Sequence, residues 1–171
     1  MQFSINQINK ALSHIGEKLD PNLKGTAAIT QAQEKISNAY KKPLSEIGDV
    51  RLSDEAETSL RNLAEQHKAD MVGTKNPDIL DAEVNKLIKA AGDSRLMGAE
   101  QWHTLLKSLG QKAQNFSTSS NAEERELGQA LKDLRNEWAD LVDSEGIRAA
   151  NRAHSLFQPA QKAASYIKSV A

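Results

Sequence analysis

A chain of 171 residues with 39% apolar and 26% charged side chains can bury a core and is too apolar to stay disordered. It contains no cysteine, so disulfides, thiolate metal sites and cysteine nucleophiles are excluded. Aromatic residues make up only 4% and the net charge is −1, which disfavours both an aromatic-lined ligand cavity and a nucleic-acid footprint spread over a whole face.

Apolar residues recur at spacings of three and four, in stretches separated by clear breaks, and this places them along single helical faces. No window alternates apolar and polar with period two, so no strand is expected. In chain order, Ile5, Ile8, Leu12, Ile15 and Leu19 form the first stripe, from Ser4 as N-cap to about Lys18, and Asp20-Pro21-Asn22 stops it. Thr26 caps a second helix that buries Ile29, Ala32, Ile36 and Tyr40 and ends at Pro43. Pro43 to Leu52 reads as an ordered loop.

Ser53 followed by Asp54 and Glu55 is a strong helix start, since a side-chain acceptor meets free amides and acids favour the positive helix end. That third helix buries Leu60 and Leu63, with Gly73 as its C-cap. Asn76-Pro77 restarts a fourth helix, with Asn76 as cap, that buries Leu80, Val84 and Leu87 and closes at Gly92. Asp93 or Ser94 opens a fifth, carrying Met97, Trp102, Leu105, Leu106 and Leu109. Residues 117–121, Ser-Thr-Ser-Ser-Asn, are the one low-complexity stretch and read as a linker. Ser120 to Glu123 has the spacing of a capping box. A sixth helix follows with Leu127, Leu131, Leu134 and Trp138, and a seventh from about Glu145, kinked or broken at Pro159. The fold class expected is all-α, an up-down antiparallel bundle of six to seven helices. The organisation expected is an N-terminal helix over 1–25, a four-helix core over 26–116, the linker, and a C-terminal hairpin over 122–171. The core should include Ile36, Leu60, Leu63, Leu87, Trp102, Leu105, Leu109, Leu134 and Trp138.

No constellation for catalysis emerges. Glu100 and His103 give one Glu-x-x-His, where a di-iron bundle needs two such pairs and two further carboxylates. His14, His67, His103 and His154 are scattered, one to a helix, and no phosphate-cradling loop or nucleophile elbow appears. A non-enzymatic role without cofactor or metal is expected. Charge is distributed unevenly: residues 1–53 hold 7 basic and 5 acidic groups, residues 54–146 hold 11 and 18, and residues 147–171 hold 4 and none.

In an up-down bundle of the second to fifth helices, the loop after the second shares a tip with the joint before the fifth. That tip gathers the cations Lys41, Lys42, Arg51 and Arg95 with the apolar Leu44 and Leu96. Cations facing anionic headgroups and apolar groups entering the interface are what a peripheral membrane site needs. The structural alternative is that Leu44, Ile47 and Leu52 plug the bundle end while Lys41 and Lys42 complement a helix C-terminus.

A compact four-helix core with such a tip resembles the membrane-localisation bundles of bacterial toxins and type III secretion effectors. The residues that carry the resemblance are Lys41, Lys42, Leu44, Arg95 and Leu96. It implies binding of anionic lipids or phosphoinositides, a bacterial cytoplasmic stage before export, and association with a host membrane afterwards. Residues 1–16, with Ser4, Asn6, Gln7, Asn9 and Ser13 and no acid, are similar in composition to type III export signals. The Trp-x-x-x-Glu signature of helical exchange-factor effectors is missing after both Trp102 and Trp138. A second class remains open, a protein-interaction or assembly component of a secretion apparatus, phage or scaffold, using the seams of the last two helices.

Overall fold

The computed structural model describes the backbone of residues 2–170 and the side chains of residues 5–162. Among the described residues are seven helices and one short ribbon: α1 (Gln2–Ser13), α2 (Thr26–Ile47), β1 (Asp49–Arg51), α3 (Asp54–Lys68), α4 (Asn76–Ala91), β2 (Leu96–Gly98), α5 (Ala99–Ser117), α6 (Ala122–Ala139) and α7 (Glu145–Val170). The class is all-α. The ribbon is the departure: β1 and β2 pair antiparallel, with Val50 opposite Met97. Three residues per strand with an exposed-buried-exposed pattern are too few to register as period two in the sequence.

The chain divides into two compact units, one from residues 1–46 and 144–171, the other from residues 47–143. This differs from the expected organisation. Ser117 ends α5 and residues 118–121 are a turn inside the second unit, joining α5 to α6, and α6 and α7 belong to different units.

In the first unit α1 packs on α7, and the core is rich in alanine: Ala11, Ala28, Ala32, Ala150, Ala153 and Ala160 are buried with Ile8, Leu12, Ile36 and Phe157. Small side chains allow helix axes to approach closely. Tyr40 OH donates to Asn151 Oδ1 at 2.6 Å, tying α2 to α7. Pro43 does not end α2, which runs four residues further to Ile47. The proline removes one donor, but its ring is buried against Gly146, where any Cβ would lie 2.5 Å from Pro43 Cγ. Helix α7 likewise continues through Pro159.

The second unit is organised by the α5–α6 hairpin. Trp102 Nε1 donates to the Trp138 carbonyl at 2.9 Å and Trp138 Nε1 to the Trp102 carbonyl at 3.1 Å, a reciprocal pair that fixes the antiparallel register. Both indoles are fully buried with their polar edges satisfied. Nearer the turn, Gly128 lets α6 meet the Ser117 backbone closely. Ser53 caps α3 by accepting from Ala56 N, as its sequence predicts, and Gly92 ends α4 at φ 62°.

Several expected boundaries move: α1 stops at Ser13 rather than about Lys18, and α3 stops at Lys68, with Ala69 in place of Gly73 as its C-cap. The α6 cap is Asn121, accepting from Glu123 N and Glu124 N, in place of Ser120. Asn76 does not cap α4; its side chain crosses to the Glu123 carbonyl at 2.8 Å. Helix α5 starts at Ala99 because residues 96–98 are committed to the ribbon. Of the expected core, Leu63 and Leu105 are only half-buried, at the edges of their stripes.

Candidate functional site

The six residues singled out for lipid contact divide between the units. In the first, Lys41 and Lys42 are exposed on the last turns of α2. Lys42 Nζ lies 4.0 Å from Glu46 Oε1 with both side chains mostly in water, an ion pair of little energetic consequence. Leu44 is buried, at 8% exposure, on the same helical face as Tyr40 and Ile36. It belongs to the core and cannot enter a membrane, which corrects its assignment as a lipid-contacting residue. The helical period decides this: Leu44 follows Tyr40 by four, whereas Lys41 and Lys42 fall outside that stripe.

In the second unit Arg51 and Leu96 are cross-strand partners on the outward side of the ribbon, both exposed, Leu96 at 45%. Arg95 sits at φ 59° in the turn leading into β2. Its guanidinium binds Asp54 Oδ1 at 3.0 Å and also the Glu57 carboxylate. The Arg95 hydrogen bond holds the Glu57 carboxyl below its ordinary range, opposed by desolvation and assisted by Arg61. Arg95 is therefore committed to a structural clamp between the ribbon turn and the first turn of α3. On the ribbon, its turn and the first turns of α3, Asp49, Asp54, Glu55, Glu57 and Asp93 stand beside Arg51, Arg61 and Arg95. Acids therefore exceed cations on the ribbon half of the expected tip.

Charge separates by unit more sharply than by sequence segment. The basic beginning of the chain and its basic last helix come together in the first unit, which holds 10 basic and 5 acidic side chains. The second unit holds 12 and 18. The outward side of α7 adds a feature that the apolar periodicity does not single out. Arg148, Arg152 and Leu156, spaced by four, are all exposed, opposite the buried Ile147, Ala150, Ala153 and Phe157, with Arg148 ion-paired to Glu145 at 2.6 Å. Their i, i+4, i+8 spacing was the available signal.

Two of the four histidines take structural positions. His67 Nε2 lies 2.9 Å from Asp133 Oδ2, linking α3 to α6, and His103 is buried beside Trp102 with ring centroids 6.3 Å apart. A shallow groove between α3 and α4, about 280 Å³, is lined by Arg61, Glu65, Lys68 and Asp81 over Ala64 and Val84. Its lysine is spanned by Glu65 at 2.8 Å and Asp81 at 2.9 Å, and these bonds raise its pKa. The groove's cation and carboxylates thus satisfy one another. Among the described residues, no group of three or more His, Asp or Glu is placed to hold a metal ion, and no helix is long and apolar enough to cross a membrane.

No protein-family model matches the chain, and neither does any curated protein or solved structure.

Proposed function

We propose that the protein is a non-enzymatic helical targeting module that binds anionic membrane surfaces through its first unit. The observation that carries this reading is the gathering of two basic chain ends into one unit with an excess of five cations. Lys41 and Lys42 on α2 and Arg152 on α7 are exposed members of that set. Each cation near an anionic surface contributes about 1 kcal/mol, so a handful suffices for reversible, salt-sensitive attachment. The attachment is peripheral and electrostatic, with Leu156 as the exposed apolar residue available to the interface.

Sedimentation with vesicles tests it. Vesicles containing phosphatidylserine or phosphoinositide should carry the protein down at low salt and release it at high salt, and neutral phosphatidylcholine vesicles should not bind it. Equal binding to neutral and anionic vesicles, or none to either, removes the proposal.

A further inference from the structure

The charge that separates the two units also makes them complementary to each other's counterparts in a second molecule. We propose that the chain self-associates head to tail, the first unit of one copy docking on the second unit of another. An excess of five cations meets an excess of six anions at such a contact, while the whole molecule, at −1, offers almost no long-range repulsion between copies.

Each side carries apolar groups within its charged surroundings. On the first unit, the outward stripe of α7 sets Leu156 one turn beyond Arg152, both exposed. On the second unit, the Asn76 bond to the Glu123 carbonyl brings the start of α4 against the start of α6. The turn before α4 presents Val72, 83% exposed, and the first turns of α4 present Ile79, 37% exposed. Asp70, Asp78, Glu123 and Glu124 are exposed at the same end, against the cations Lys75 and Arg125.

Helix dipoles account for acids in the first turns of α4 and α6. They do not account for Asp70, nor for a valine left almost wholly in water. An exposed Arg152 and Leu156 on a unit of net positive charge fit an acidic end with an exposed valine and isoleucine: charge sets the orientation and the apolar residues meet at the centre. Because the two docking faces differ, the contact is heterologous, giving dimers that use it twice or larger rings and chains. The inference rests on the opposite charges of the units and does not require membrane binding.

Sedimentation velocity of the full chain tests it, at about 0.01 M salt, where the Debye length is ~30 Å, and at about 1 M, where it is ~3 Å. Wild type should form dimers or larger species at low salt and dissociate at high salt. Arg152→Glu/Leu156→Ser breaks the first face and Val72→Ser/Glu124→Lys the second, all at exposed positions, with circular dichroism confirming that both variants fold. Each variant alone should be monomeric at low salt. Mixed one to one, they should form dimers and nothing larger, since each retains one intact face. A wild type that is monomeric at low salt, a variant that still assembles alone, or a mixture that stays monomeric overturns the proposal.

Discussion

Replacing Gly128 by alanine probes the crossing that organises the second unit. An added Cβ would lie 2.5 Å from Ser117 N, 2.6 Å from its Oγ and 2.9 Å from its Cα. Ordinary contacts are ~3.5–4.0 Å, so α5 and α6 must separate by about 1 Å at this point. Two of the three obstructing atoms are backbone and cannot rotate aside. Overpacking of this kind costs about 1–3 kcal/mol, and a backbone clash belongs at the upper end. Alanine returns about 1 kcal/mol through helix propensity, leaving a net loss of about 2 kcal/mol. For a unit running from Ile47 to Asp143 this lowers Tm by roughly 10 °C. Gly110, on the facing helix, is the internal control. Its added Cβ would meet only the flexible Arg135 side chain, at 3.3 Å from Nε, so Gly110→Ala should gain the propensity and raise Tm by about 5 °C. Tryptophan fluorescence during thermal unfolding is the assay, because both tryptophans are buried in this unit. A Gly128→Ala variant as stable as wild type would refute the close-crossing argument.

Leu44→Ala should cost about 2–5 kcal/mol as a core truncation and leave vesicle partition of the folded protein unchanged, measured by thermal melts beside sedimentation. Leu109→Ala should be clearly more destabilising than Leu105→Ala, since Leu109 is 1% exposed and Leu105 is half-buried; chemical denaturation of the two variants decides it. The Glu57–Arg95 clamp makes an acid-limb prediction. The folded-state pKa of Glu57 is lowered, so its stabilisation is complete above the ordinary value of 4.5 and is lost as pH falls through the lowered value. The stability difference between wild type and Glu57→Gln, followed by urea denaturation, should therefore shrink on acidification below pH 4.5; a difference constant with pH would contradict the clamp.

The helices were legible because their apolar stripes are long and their caps are local. Ser53 sits before two acids, and Gly92 ends a periodic run, so a few adjacent residues carry the signal. What escaped the sequence depends on partners distant along the chain. Pro43 reads as a stop until Gly146 makes room for its ring, about a hundred residues away. The ribbon depends on three-residue strands separated by two helices, too short for periodicity to show. Asn76 has the composition of a cap, yet the Glu123 carbonyl claims its amide.

The candidate site was half legible, for the same reason. Lys41 and Lys42 are exposed as expected, but their belonging to one unit with the cations of α7, while the ribbon cations belong to the other, follows from how the chain ends come together. Leu44 reads as a tip residue only if Pro43 ends the helix, and the helix continues to Ile47. Arg95 reads as available in the sequence because its carboxylate partners are 38 and 41 residues away.

The central claim is that the first unit, not net charge alone, determines membrane attachment, and two charge-matched variants separate these directly. Lys41→Glu/Lys42→Glu acts in the first unit, and Arg51→Glu/Lys132→Glu acts at exposed positions of the second, each lowering the net charge by the same amount. With phosphatidylserine vesicles at low salt, the first variant should lose binding by at least about 30-fold, as the loss of two cations at ~1 kcal/mol each requires. The second should bind within a few-fold of wild type. Equal losses in the two variants, or a larger loss in the second, would contradict the account.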